Sequence, residues 1–219
     1  MKKALITGAG SGLGQALALA YAKADYYIYL VGRNENKLAE TKQLIEEQGQ
    51  QASIHTCDIT DWEAVEKLAS NLTDVDVLIN NAGVGFFDTI DQLTKQEIDT
   101  MVNVNVHGMI YMTKHFIESV NQNQGRVLNI ISTAGLTGKV KESAYCASKY
   151  AQRGFTESLQ KEWADEDIAV TAVYMGGMNT PFWNESDYVP DPSVLPSPED
   201  YAKQIINQDD GRAEIHVDK

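Results

Sequence analysis

Ala4-Leu5-Ile6-Thr7-Gly8-Ala9-Gly10-Ser11-Gly12-Leu13-Gly14, close to the start of the chain, decides the fold. Its first residues read as a buried strand and its glycines as a tight turn. The small apolar residues that follow, out to Ala24, read as a helix. Met1-Lys2-Lys3 ahead of an apolar stretch has the outline of a secretory leader. However, Gly8, Gly10, Gly12 and Gly14 break that stretch, and Thr7 and Ser11 add polarity that such a leader avoids.

Outward from this turn, β-rich runs at 4–7, 27–31, 52–56, 75–79, 126–131 and 169–174 alternate with helix-patterned segments at 12–24, 35–48, 61–72, 95–120 and 144–164. A last helix is expected near 197–207 and a terminal strand near 213–217. Strands separated by helices pair in parallel through right-handed crossovers. The expectation is an α/β fold: one Rossmann-like domain over residues 1–219, a doubly wound parallel sheet of about seven strands with helices on both faces. All five prolines, Pro181, Pro190, Pro192, Pro196 and Pro198, fall in one late stretch together with Phe182, Trp183 and Tyr188. A loop at 176–198 is expected there, with a surface connector or a substrate lid as its two readings.

Composition narrows the partners. Against 18 Lys and Arg stand 31 Asp and Glu, a formal charge of -13, with no basic patch to offset it; nucleic acid is an unsuitable partner. No apolar run approaches the roughly 20 residues that span a bilayer, so a membrane partner is not expected and a cytoplasmic location is. Cys57 and Cys146 show no paired-ligand spacing, and His55, His107, His115 and His216 share none either, so no metal is expected.

In a doubly wound sheet, ligands bind beyond the carboxyl ends of the strands, and the notable motifs fall there. The glycine turn leads from a strand into a helix N-terminus, where main-chain N–H groups and the helix dipole suit a pyrophosphate. Its spacing is TGxxxGxG, carried by Gly8, Gly12 and Gly14. After the second expected strand come Gly32 and Arg33, where a fold selecting NAD places an acid against the ribose. A guanidinium there suits a 2′-phosphate, unless it is simply an exposed surface arginine. Tyr145-Cys146-Ala147-Ser148-Lys149 lies in an expected helix, so Tyr145 and Lys149 share a face. Ser132 stands at the end of the fifth strand, thirteen residues before the tyrosine.

These motifs, with Asp58 after the third strand and Asn80-Asn81-Ala82-Gly83 after the fourth, resemble those of the classical short-chain dehydrogenase/reductase family, in order and over nearly the whole chain. Asn105, within Asn105-Val106-His107-Gly108, completes a resemblance to that family's Asn-Ser-Tyr-Lys tetrad. The resemblance implies an oxidoreductase moving a hydride between a nicotinamide cofactor and a small carbonyl or alcohol. It implies catalytic roles for Asn105, Ser132, Tyr145 and Lys149, with Asn105 holding a water towards Lys149. Cofactor contacts are implied at Gly8, Ser11, Gly12, Leu13 and Gly14 in the turn. Asp58, Ile59, Asn81, Ala82 and Gly83 are implied beyond the third and fourth strands, and Tyr145, Lys149, Gly176, Met178 and Thr180 later in the chain. One departure is Met175-Gly176, where relatives often carry Pro-Gly ahead of the threonine. A homodimer or homotetramer paired through the long helices is also implied.

The chemistry fits the residue types. Hydride transfer at a carbonyl carbon requires a proton at its oxygen, and a phenol of reference pKa about 10 needs a bias of roughly 4 kcal/mol to ionise near neutral pH. A lysine ammonium about 4 Å away supplies that order of magnitude at an effective dielectric near 20. Arg33 makes NADP(H) the expected cofactor, with NAD(H) the other candidate. Phe86 and Phe87, and Phe182 and Trp183, are candidates either for an apolar substrate wall or for the core. A dinucleotide-sensing regulatory protein on the same fold is the competing reading, and the intact tetrad speaks against it. Sugar-nucleotide epimerases share the Tyr-Lys pair but carry a larger substrate domain than 219 residues allow.

Overall fold

A computed structural model describes residues 1–184 and 186–217. Glu185, inside the loop expected at 176–198, and the final two residues of the expected 1–219 domain lie outside the described residues. Strands β1 (Lys3–Thr7), β2 (Tyr27–Gly32), β3 (Ala52–Thr56), β4 (Val77–Asn80), β5 (Arg126–Ile130), β6 (Ala169–Met175) and β7 (Glu214–Val217) form one parallel sheet in the order β3-β2-β1-β4-β5-β6-β7. The chain changes direction across the sheet between β1 and β4. That switch point opens a crevice at the carboxyl ends of the two strands.

Helices α1 (Gly12–Lys23), α2 (Glu35–Glu47), α3 (Trp62–Asn71), α4 (Lys95–Val102), α5 (Met109–Gln122), α6 (Ser143–Glu162) and α7 (Pro198–Gln208) cover the two faces. Strand periodicity sends alternate side chains to opposite layers. Ala4 and Ile6 pack with Leu13, Leu17 and Tyr21 of α1 and with Tyr201 and Ile205 of α7. Leu5, between them, packs with Val65 and Leu68 of α3, Met112 and Phe116 of α5, and Leu159 of α6. Each fully buried aliphatic contributes about 1.5 to 3 kcal/mol, so both layers hold the sheet.

A buried polar seam fixes α6 against this apolar background. Asn80 Nδ2 donates to Asn129 Oδ1 at 2.8 Å and to Thr113 Oγ1 at 2.9 Å, and Asn129 Nδ2 donates to Thr156 Oγ1 at 2.9 Å. A shift of α6 along the sheet would take Thr156 away from the Asn129 amide and leave it unpaired, at a cost of about 1 to 3 kcal/mol.

Two segments differ from the periodicity. The strand expected at 75–79 begins at Val77, because the Val75 N–H goes to the Ser119 hydroxyl at 3.0 Å rather than to the ladder. The helix expected at 95–120 is divided by a π-helical turn, Asn103–Gly108, between α4 and α5. Apolar periodicity does not report such a widening. It surrounds Asn105, and π turns of this kind concentrate at functional sites.

Candidate active site

A cleft of about 980 Å³ lies beyond the carboxyl ends of β1, β2, β4, β5 and β6. Its floor is the turn from β1 into α1. Helices α2, α3, α4 and α7 begin at side-chain caps: Asn34, Asp61, Thr94 with Glu97, and Ser197. At α1 the capping residue Ser11 makes no such bond, and its first turn carries no acid. The N–H groups there remain open to an anion.

The backbone around this N-terminus excludes side chains. Gly8 has φ of 67°, and a Cβ on Gly14 would stand 2.1 Å from the Gly8 carbonyl oxygen. Thr7 ties the turn to the segment after β4: its Oγ1 accepts the N–H groups of Asn81 and Ala82, each at 3.0 Å. The result is a cradle shaped for a pyrophosphate, and its residues fit a dinucleotide. Asp58 Oδ1 accepts from Thr60 N–H at 3.0 Å and Thr60 Oγ1 at 2.8 Å, which holds the carboxylate at the cleft beside Ile59. Thr180 packs over Gly12, at 3.1 Å from where a Cβ would be, and Met178 and Gly176 also line the cleft.

At the end beyond β2, Arg33 is exposed and lines the cleft. Sequence reading passed over a second cation there, Lys37, whose Cβ stands 2.9 Å from the position of a Cβ on Gly10. It stands in the first turn of α2, behind the Asn34 cap, and no local motif marks it.

Ser132, Tyr145 and Lys149 meet at the opposite end of the cleft, where β5 ends and α6 begins. Ser132 Oγ accepts the Ala134 N–H at 3.1 Å, leaving its own hydrogen to be donated elsewhere. Lys149 is 5% exposed, and its Nζ stands 5.6 Å from the Tyr145 ring centre. Burial holds its amine down to about 7, from the usual 10.5. Burial likewise pushes the Tyr145 phenol well above its ordinary value, while a hydrogen bond from Ser132 pulls it down and Glu142 and Cys146 push it up. In the protein alone, therefore, burial outweighs the Ser132 hydrogen bond and keeps the phenol protonated.

Asn105 reaches this centre differently from its partners. Its side chain is fully buried and committed elsewhere: Oδ1 accepts Val84 N–H at 2.8 Å, and Nδ2 donates to Val84 O at 2.9 Å and Ser148 Oγ at 3.0 Å. Its main-chain carbonyl also meets α6, where it accepts from Gln152 Nε2 at 2.6 Å. Gln152 also escaped sequence reading, because one more polar residue on a helix carries no motif.

Above Tyr145 the aromatic side chains converge. Phe87 lies edge-on to Tyr145 with centroids 5.2 Å apart, and stacks on Tyr188 at 4.8 Å and Trp183 at 5.4 Å. Phe182 completes the group at 6.2 Å from Tyr145. Tyr188 Oη donates to Glu142 at 2.9 Å, fastening residues of the late loop beside the start of α6. Among the described residues, no group of His, Cys, Asp or Glu is arranged to hold a metal ion, and no helix is long and apolar enough to cross a membrane.

The sequence profile described as short chain dehydrogenase matches residues 2–188. The chain belongs to the short-chain dehydrogenase family. The relatives of this short-chain dehydrogenase include a fatty acyl-CoA reductase of Acinetobacter baylyi, 34% identical over 94% of this chain and 72% of that one. A sepiapterin reductase of Chlorobaculum tepidum is 30% identical over 92% of this chain and 87% of that one. An alcohol dehydrogenase of the archaeon Thermococcus sibiricus, solved with 5-hydroxy-NADP, superposes with a TM-score of 0.87 at 25% identity, covering 99% of this chain and 96% of that one. The protein is an NAD(P)-dependent oxidoreductase on a Rossmann-like sheet.

Proposed function

We propose that this short-chain dehydrogenase reduces a small organic carbonyl to its alcohol, with NADPH preferred and NADH the lesser donor. The observation that carries the reading is one cleft with Arg33 and Lys37 at one end and Ser132, Tyr145 and Lys149 at the other. The bound cofactor supplies the hydride. The chain's residues do the rest: Gly8, Ser11, Gly12, Leu13 and Gly14 hold the pyrophosphate, with Thr180 above them. Asp58 and Ile59 flank the adenine, and Asn81, Ala82, Gly83, Gly176 and Met178 wall the dinucleotide path. Arg33 and Lys37 draw a 2′-phosphate by charge-assisted contacts.

Tyr145 donates its proton to the substrate oxygen, and the phenol held protonated by burial is in the right state to do so. Ser132 donates a hydrogen bond to the same oxygen and stabilises the charge that develops there. Lys149, when protonated, favours loss of the phenolic proton and holds the nicotinamide ribose hydroxyls. Asn105 shapes the π turn behind them. The loop at 176–198 closes over the substrate through Phe182, Trp183 and Tyr188, which pack around Phe87.

Cys57 and Cys146 are both buried free thiols, in keeping with a reducing, cytoplasmic setting. Tyr150 on α6 and Val102 at the end of α4 are exposed, and pairing of the long helices into a homodimer or homotetramer would cover such residues. Sedimentation that finds only monomer at micromolar concentration would oppose the assembly. The function itself is tested by a panel of aldehydes and ketones with NADPH and with NADH. Turnover of at least one carbonyl, faster with NADPH, is expected; no turnover with either donor overturns the reading.

A further inference from the structure

We propose that Gln152 is a positioning residue of the catalytic centre, a strut that fixes the Lys149 amine to the main-chain carbonyl of Asn105 and aims its remaining N–H at the cleft. The inference rests on the proposed role of the Tyr145 and Lys149 pair. Gln152 is 1% exposed, and both ends of its amide are engaged. Oε1 accepts from Lys149 Nζ at 2.8 Å, and Nε2 donates to Asn105 O at 2.6 Å. Turned over, the amide would set donor against donor at the lysine and acceptor against acceptor at the carbonyl, so only one orientation is allowed.

An ammonium group has three N–H bonds to place. One goes to Gln152 and a longer one, at 3.4 Å, to the Ile130 carbonyl. The third is left for the open side. That side holds the Tyr145 ring, 5.6 Å away, and Gly83, whose missing Cβ would stand 3.7 Å from Nζ. The strut is itself anchored. Thr156 Oγ1 donates to the Gln152 carbonyl at 2.7 Å and accepts from Asn129 Nδ2 at 2.9 Å, which ties this turn of α6 to β5.

The family resemblance assigns the connection between Asn105 and the lysine to a water, which passes protons. A carboxamide does not gain or lose a proton near neutral pH, so the link through Gln152 orients the amine without discharging it. It also supplies a fixed acceptor that favours the ammonium form against the burial that opposes it. Tyr145 is the titratable group facing Lys149 from its own helix, with Glu142 and Cys146 acting on that phenol in turn. The π turn, β5 and the segment after β4 present Asn105, Ile130 and Gly83, which do not titrate.

The test reads the lysine directly, in the protein without cofactor or substrate, by the pH dependence of Lys149 acetylation with acetic anhydride followed by mass spectrometry. Gln152→Met keeps the shape and removes both bonds. Lys149 should then titrate at least about one pH unit lower, and kcat for carbonyl reduction should fall about tenfold or more with the substrate KM little changed. A charge-assisted bond has that weight. Gln152→Glu keeps an acceptor for the amine, adds charge and loses the donor to Asn105. Lys149 should titrate higher in it, and this variant carries the test if Gln152→Met does not fold. Wild-type titration of Lys149 in either folded variant overturns the proposal. Failure of the carbonyl panel would sink the proposed reaction while leaving this readout intact.

Discussion

Thr7 and Asn81 hold the two halves of the sheet together at the switch point. The Asn81 main-chain N–H donates to Thr7 Oγ1 at 3.0 Å, and its side-chain Nδ2 donates to the Thr7 carbonyl at 2.9 Å. The same amide nitrogen stands 2.6 Å from where a Cβ on Gly14 would project. One asparagine thus sets the height of the segment after β4 over the α1 N-terminus. Its position depends on a hydroxyl that is 1% exposed.

Thr7→Val keeps the shape of that side chain and removes the acceptor, leaving the Ala82 N–H without its partner and the Asn81 N–H with only the Ile79 carbonyl, at 3.1 Å. Leaving a donor unpaired costs about 1 to 3 kcal/mol, so the variant should lose about that much in urea denaturation. Cofactor affinity should fall as well, because the segment walls the cleft. A loss below about 0.5 kcal/mol would show that the hydroxyl is not what holds this segment.

Arg33 and Lys37 carry the prediction on cofactor choice. A charge-assisted contact contributes about 1.5 to 3 kcal/mol, so NADPH should be favoured about tenfold to hundredfold in kcat/KM. Gly32→Asp with Arg33→Ala should reverse the preference; a Cβ at Gly32 meets Leu38 Cδ2 at 3.3 Å, a contact that a small side-chain shift relieves. Lys37→Ala alone should reduce the preference without reversing it. A parent enzyme that already favours NADH would mark both as surface cations.

Tyr145→Phe removes the transferable proton and leaves the glycine turn untouched. Turnover should fall by at least about a hundredfold while NADPH binding, followed by its fluorescence, persists. Because the phenol is held protonated, its own titration should not limit carbonyl reduction near neutral pH; reduction in the parent should instead fall as pH rises through about 7, where Lys149 loses its charge. Near-parental turnover in the variant would remove Tyr145 from the mechanism.

The sequence made the βαβ order legible because buried strands and amphipathic helices leave different periods, and because the glycines of the first turn have steric reasons to be where they are. Tyr145, Lys149 and Ser132 were legible as a set through spacing and strand ends. The π turn at Asn103–Gly108 was not, since inserting one residue's worth of slack leaves the apolar stripe almost unchanged. Gln152 and Lys37 were invisible for another reason. Their meaning comes from partners on other elements, Asn105 across the α6 face and Gly10 across the first turn, and no local pattern encodes those meetings. The aromatic group around Phe87 was readable only as candidates, because stacking of Tyr188 on Phe87 joins segments far apart in the chain.

The last prediction concerns the cost of burying Lys149. Its amine is held at about 7 in the folded protein, against about 10.4 for an unfolded chain. The unfolded state therefore binds this proton more tightly. Folded stability is reduced throughout the range below about pH 7, and the deficit is relieved as pH rises from about 7 towards 10.4. Lys149→Met deletes the buried charge and keeps most of the volume. Relative to the parent, it should melt at higher temperature near about pH 6, with the advantage shrinking at about pH 10. Two groups temper the gain, the Gln152 oxygen and the Ile130 carbonyl, which lose a donor in the variant and each give back about 1 kcal/mol or more. Using the difference between two proteins removes the shared effect of a net charge of -13, which grows more negative over the same range. A variant that is less stable than the parent by the same margin at both ends of the range would show that the lysine is not held down by burial. It would then have to be fully charged and paired in the folded state, and Tyr145 would feel its field undiminished.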